Sequence, residues 1–112
     1  SSTWGRRIID DGYSRGHAIA TADINGDGND EIIFGSSDAS DQPGYGPTLA
    51  VYSKLENPSP HDSPAWHRTI LDKGGIAVEA IAVGDLSGDG VPDIVAVGRS
   101  THNVKLFIAN KK

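Results

Sequence analysis

Cysteine is absent from all 112 residues, so no disulfide or thiolate metal site holds this chain together, and thiol nucleophiles drop out with them. Long apolar runs are missing as well: no stretch approaches the roughly 20 residues that a membrane-crossing helix needs. Excess positive charge is lacking too, since the formal net charge is −5. Nucleic acid asks for a basic face, so neither a nucleic-acid nor a membrane partner is expected. No segment has the length and 3.6-residue period of a solid helix. No signal-peptide pattern is visible near Ser1, and the absence of cysteine does not fix a compartment. What the chain does have is turn formers, 14 glycines and 6 prolines, which suit many tight turns between short strands.

The organising feature is a duplication. Trp4-Gly-Arg-Arg-Ile-Ile-Asp10 recurs 62 residues on as Trp66-His-Arg-Thr-Ile-Leu-Asp72, and 13 of the 33 positions aligned between 4–36 and 66–98 are identical. Self-similarity at such a period marks stacked supersecondary units. Each unit reads as strands. Inner segments 17–22 and 79–84 are short and apolar, and 31–35 and 93–97 are β-branched and too short for helices. Segments 48–53 and 103–108 alternate in part, as half-buried strands do. The two Trp segments add one more strand per unit, with Trp4 and Trp66 expected to pack between units.

Four short antiparallel strands, repeated around an axis, describe a propeller blade. The predicted fold is therefore all-β: one domain, 1–112, of two tandem blades, with the first repeat over about 4–65 and the second over about 66–112. In blade order the outermost strand is 65–71, so 4–9 is expected to be the outermost strand of a preceding blade, and the last sheet to want one. Propellers close with about 4–8 blades, and two blades leave apolar faces and a strand edge uncovered. The expectation is closure by self-assembly, three chains giving six blades or, second, four giving eight; the alternative is a piece of a longer ring.

The chemistry lies in two loops, Asp23-Ile-Asn-Gly-Asp-Gly-Asn-Asp-Glu31 and Asp85-Leu-Ser-Gly-Asp-Gly-Val-Pro-Asp93. Oxygen-bearing side chains stand at loop positions 1, 3 and 5, and a carboxylate at position 9. Glycine at position 6 permits the positive-φ turn that folds these oxygens around one point. Calcium takes about 6–8 oxygens at about 2.3–2.6 Å. The expected ligands are Asp23, Asn25, Asp27, the carbonyl of Asn29, and Glu31 in one loop, and Asp85, Ser87, Asp89, the carbonyl of Val91, and Asp93 in the other, giving two calcium sites per chain. The competing explanation is a turn in which Asp and Asn merely cap their own backbone, and its recurrence at one offset counts against that. An EF-hand shares the first six positions but needs a Glu at position 12, where this chain has Phe34 and Ala96.

On these residues the chain resembles the FG-GAP or VCBS repeats of integrin α-subunit propellers, fungal propeller lectins and some secreted bacterial proteins. The resemblance implies calcium held between the first two strands of each blade. This chain departs from the pattern in lacking Phe-Gly before either loop, and in having Gly35-Ser-Ser and Gly98-Arg-Ser where Gly-Ala-Pro follows the loop. Its Trp-x-Arg-x-Ile and Gly-His-Ala segments are more similar to propeller lyases and dehydratases that act on sugars.

Strand direction puts the calcium loops and the connection 55–64 on one face. Residues 10–17, 72–79 and the hairpins 36–47 and 99–103 fall on the other, where axial ligand sites form. The candidates there are His17, Tyr45, Glu79, Arg99 and His102. His17 and Glu79 are repeat equivalents, read either as a second metal or acid–base site or as wetted residues at the channel mouth. Tyr45, in an insertion, is read as a platform for a sugar or as part of a loose loop. No Ser-His-Asp arrangement, phosphate loop or paired-carboxylate motif is present. The expected function is a non-catalytic, calcium-stabilised module that binds carbohydrate or protein, outside the cell or on its surface (or in a periplasm). A sugar lyase or dehydratase and a purely architectural unit are the alternatives.

Overall fold

The computed structural model describes residues 4–55 and 66–109. Within them lie seven strands and no helix: β1 (Ala18–Ala22), β2 (Glu31–Ser36), β3 (Thr48–Lys54), β4 (Trp66–Lys73), β5 (Val78–Gly84), β6 (Asp93–Gly98) and β7 (Val104–Phe107). All pairings are antiparallel, in two sheets ordered β1-β2-β3-β4 and β5-β6-β7. No helix among the described residues is long and apolar enough to cross a membrane.

Alternation in the sequence decides which side of each strand is buried. In β2, Glu31, Ile33 and Gly35 are buried while Ile32 and Phe34 are half-buried, the period-2 pattern of a strand with two unlike faces. The two sheets meet through Ile33, Leu49 and Val51 on one side and Ile76, Val78, Ile94 and Ala96 on the other. Burying an aliphatic side chain of this size contributes about 1.5–3 kcal/mol. The inner strands approach closely because β1 offers only Ala18, Ala20 and Ala22 to this core and because Gly35 has no side chain. A Cβ at Gly35 would overlap the Val78 side chain and lie 2.7 Å from its Cβ.

The fourth strand of the first sheet comes from the start of the second repeat. β4 pairs with β3 from Lys54↔Trp66 to Thr48↔Lys73, with a bulge between Leu49 and Ala50. The second sheet has three strands, and β7 pairs only with β6 among the described residues. Segment 4–9, expected as a strand, takes no strand pairing among the described residues. A strand exists only in a ladder, and 4–9 is expected in the sheet of a preceding blade; the outermost place in the first sheet is held by its repeat equivalent, β4. Trp4 is 86% exposed. Trp66 is half-buried where β4 begins. From residue 56 on, the expected connection 55–64 lies outside the described residues.

Each repeat enters its sheet through an aspartate at equivalent positions. Asp72 Oδ1 accepts from Gly75 N at 2.8 Å, and its Oδ2 takes Lys105 Nζ of β7 at 2.6 Å. Asp10 Oδ1 accepts from Gly12 N at 2.9 Å, and its Oδ2 takes Tyr52 Oη of β3 at 2.8 Å and Tyr45 Oη at 3.2 Å. Each aspartate thus ties the end of a Trp segment to the third strand of the unit that follows.

Candidate metal centre

Both acidic loops are built by one network. Asp23 Oδ1 accepts from Gly26 N (2.9 Å) and Asp27 N (3.1 Å), and Oδ2 from Gly28 N (2.8 Å). Asp85 repeats this with Gly88 N (2.8 Å), Asp89 N (3.2 Å) and Gly90 N (2.8 Å). Asn29 N donates to Asp27 Oδ1 at 2.8 Å, as Val91 N does to Asp89 Oδ1 at 3.0 Å. Asn25 Oδ1 accepts from Asp27 N at 3.1 Å. Such convergence of amides on one carboxylate requires left-handed backbone, supplied by Gly26 (φ 76°), Gly28 (90°), Gly88 (80°) and Gly90 (86°).

The ninth loop position closes each site from below. Glu31 is 4% exposed and Asp93 fully buried. Glu31 Oε1 accepts from Ile24 N (2.7 Å) and Asn25 N (3.2 Å), while its neighbour Asp30 is exposed. Asp93 Oδ2 accepts from Leu86 N (2.9 Å) and Ser87 N (3.0 Å), and its Oδ1 from Ala109 N (3.0 Å). These bonds shape the acidity. Amide donors, Gly28 N foremost, hold the Asp23 carboxyl below its usual range, and Gly90 N does the same for Asp85. At Asp93 burial pushes upward, but the amides of Ala109, Ser87 and Leu86 outweigh it, and its carboxyl too is lowered.

Asp23, Asp27 and Glu31 bring one carboxylate oxygen each to within 4.8 Å of one another. Two oxygens on a shared calcium lie at most about twice the bond length apart, about 4.6–5.2 Å, so this triad fits such a cation. The donors are all hard oxygens, which suit calcium over softer metals. The close gathering of three carboxylate oxygens is found in the first loop; the second carries the equivalent carboxylates Asp85, Asp89 and Asp93, with Ser87 in the place of Asn25.

At the opposite end of the inner strands the structure brings His17 and Glu79 together. His17 Nδ1 lies 3.5 Å from Glu79 Oε2, and its Nε2 lies 3.6 Å from Asp38 Oδ1; Asp38 is in turn held by Arg15 Nε at 2.7 Å. The carboxylates approach opposite nitrogens of the ring, so they flank the imidazole and do not share one ion with it. Asp38 was not singled out from the sequence, because a lone acid in a Ser-Asp-rich loop reads as a turn former.

The other axial candidates are not gathered with this group. Arg99 and His102 sit in the hairpin after β6, where His102 N donates to Arg99 O at 3.4 Å and His102 takes φ 54°. Neither side chain reaches the His17 group by hydrogen bond or ion pair among the described residues. Tyr45 turns inward. Its hydroxyl binds Asp10, the Arg68 guanidinium lies 4.1 Å from its ring centroid, and its ring meets Tyr13 edge-on at 4.7 Å. Arg68 Nη1 also donates to Tyr13 Oη at 2.8 Å and to Gly44 O at 2.9 Å. These contacts let the Tyr45 ring pin loop 36–47 down. The repeat held one clue to this cluster, the identity of Asp10 and Asp72.

Sheets and loops together define an all-β repeat protein with an acidic turn between the first two strands of each unit. Residues 15–52, from β1 into β3 and including the first acidic loop, match the family model of the FG-GAP repeat, and the match supports an FG-GAP-type repeat over those residues. That repeat suggests a β-propeller-like module. Comparison with curated proteins and with solved structures returns no match.

Proposed function

We propose that the chain is a calcium-stabilised β-propeller module, each sheet a blade, that binds carbohydrate or protein through the axial face of a closed ring. The observation that carries the calcium reading is the recurrence of one oxygen-lined turn in both sheets, amide for amide, with three carboxylates within 4.8 Å in the first. Carboxylates that close repel one another, and a divalent cation neutralises them while fastening β1 to β2 and β5 to β6. Asp23, Asn25, Asp27, the Asn29 carbonyl and Glu31 would hold one ion, and Asp85, Ser87, Asp89, the Val91 carbonyl and Asp93 the other. Ring closure by copies of the chain, three for six blades or four for eight, is part of the proposal. So is a place outside the cell or on its surface, where FG-GAP repeats occur and where calcium modules work at Kd values of about 10⁻⁴–10⁻³ M.

Calorimetric titration with calcium, beside thermal melts in calcium and in chelator, tests this. The expected result is saturable binding at two sites per chain and a melting temperature that falls on chelation. No binding heat and coincident melts would remove the calcium reading.

A second reading is favoured by one feature, the imidazole of His17 set between Glu79 and Asp38. A histidine flanked by carboxylates is suited to moving a proton, as a sugar lyase or dehydratase requires. A glycan array in calcium, run beside an elimination assay on acidic polysaccharides, separates the two. Binding without turnover supports the module; turnover lost in His17→Ala or Glu79→Ala supports the enzyme. Inactivity in both leaves the architectural role.

A further inference from the structure

We infer that Asn25 is a site of covalent self-modification: in the folded first loop the Gly26 amide nitrogen closes on the Asn25 side chain, expels ammonia, and leaves aspartate or isoaspartate at that position. The change is in the chain itself and needs no cation in the loop.

Of the five asparagines, Asn25 alone is followed by glycine. Ring closure requires the next nitrogen to reach the side-chain carbonyl carbon, and a residue without Cβ hinders that approach least. The groups that the reaction needs are already in place. Asn25 Oδ1 accepts from Asp27 N at 3.1 Å, a donor shared with Asp23 Oδ1 at 3.1 Å. This is an Asx-turn whose ring contains both Asn25 Cγ and Gly26 N, so the side chain is folded back over the peptide that attacks it. The same Asp27 N–H stabilises the negative charge that gathers on Oδ1 as the new bond forms. Gly26 N donates to Asp23 Oδ1 at 2.9 Å, so the proton that must leave this nitrogen already points at a carboxylate. Asn25, Gly26 and Asp27 are exposed. No atom lies within 4 Å of the place that a Cβ on Gly26 would take, so water reaches the product.

The Gly26 N–Cγ bond forms as the N–H proton passes to Asp23 Oδ1 and the Cγ=O electron pair moves onto Asn25 Oδ1. The pair then returns and the Cγ–Nδ2 bond breaks. Nδ2 leaves as ammonia with the proton from Asp23, which ends unchanged. One water opens the resulting succinimide. Attack at Cγ gives aspartate; attack at the Asn25 backbone carbonyl carbon gives isoaspartate, with the chain running through the side-chain carbon. Aspartate adds a carboxylate beside Asp23, Asp27 and Glu31. Isoaspartate lengthens the backbone and pulls the loop amides out of register with Asp23. The second loop is spared, because Ser87 has no carbonyl to attack, although Gly88 N donates to Asp85 Oδ1 at 2.8 Å in the same way. Ageing therefore changes one loop of the pair and leaves its twin intact.

Peptide mass spectrometry on the whole chain, held in chelator at neutral pH, tests this, with isoaspartate read separately by enzymatic methylation. Asn25 is expected to convert ahead of Asn29 and Asn103, and faster in the folded chain than in the same chain unfolded in guanidinium. Asp23→Asn keeps an acceptor oxygen but loses the base, and is expected to slow conversion at least about tenfold. Ser87→Asn is expected to make the second loop convert as well. Conversion as fast in the unfolded chain, an unchanged rate in Asp23→Asn, or a Ser87→Asn chain that stays intact at that position would each overturn the inference. The folded and unfolded comparison uses the wild-type chain, so a variant that fails to fold leaves the test standing. Melts in calcium on the same samples keep the two ideas apart: a calcium shift with Asn25 unconverted sinks only the modification.

Discussion

Asp10 is a residue whose weight comes from how many strangers it joins. Its carboxylate takes Gly12 N, Tyr52 Oη and Tyr45 Oη, and so ties the incoming segment to β3 and to loop 36–47. Tyr52 is 5% exposed, and a buried phenol donating to a carboxylate resists ionisation. Burial first, then the hydrogen bond to Asp10, push its pKa well above the ordinary 10.0. The sign of the pH effect follows. Above pH 10 the unfolded chain releases this proton and the folded chain keeps it, so stability present below pH 10 is lost as pH rises. Tyr52→Phe removes both the bond and that loss. It is expected to cost about 1.5–3 kcal/mol at pH 8, the range of hydrogen bonds to charged groups, and to shrink the fall in stability between pH 9 and pH 11. Urea unfolding at the three pH values checks this; an unchanged alkaline slope would mean that another group carries it.

At the scale of the element, the β1–β2 turn has to satisfy its backbone and its charges together. Glu31 does both, since one oxygen caps Ile24 N and Asn25 N while its carboxylate belongs to the triad with Asp23 and Asp27. Glu31→Gln separates the roles, because an amide oxygen still accepts both bonds but the charge is gone. The expected outcome is a metal-free stability within about 1 kcal/mol of wild type and a calcium affinity at least about tenfold weaker. Equal affinity in the variant would assign Glu31 to the turn alone. This element was legible in the sequence because loop chemistry is local: spacing, glycine and carboxylates lie within nine consecutive residues. Strands 17–22 and 79–84 were legible for a related reason, a short apolar run into a glycine-rich turn being local and the duplication repeating it. The Tyr13, Tyr45 and Arg68 cluster was not, because it joins three segments that only the tertiary fold brings together, and Tyr45 in a glycine- and proline-rich stretch looks exposed until Arg68 and Asp10 are placed beneath it. Segment 4–9 shows the opposite limit. Its strand pattern is clear, yet a pattern forms no ladder without an edge to join.

For the whole molecule, the proposed ring would couple metal and assembly, since the loops fasten the hairpins whose outer faces would carry the contact between copies. A ligand bound only by the folded state stabilises it by about 2.7 kcal/mol per site at 100 times its Kd, and association adds a term that depends on protein concentration. The two contributions have different signatures. Calcium saturation raises the melting temperature at every protein concentration, whereas assembly makes the melting temperature climb as the chain is concentrated. Melts across a hundredfold range of protein concentration, in calcium and in chelator, are expected to show a climb in calcium that flattens in chelator as the hairpins loosen and the faces lose their shape. A melting temperature independent of concentration in calcium would mean that each chain unfolds alone. The exposed Val97, Val104 and Leu106 would then be a face that this protein leaves to solvent, and two sheets would be enough to hold the fold.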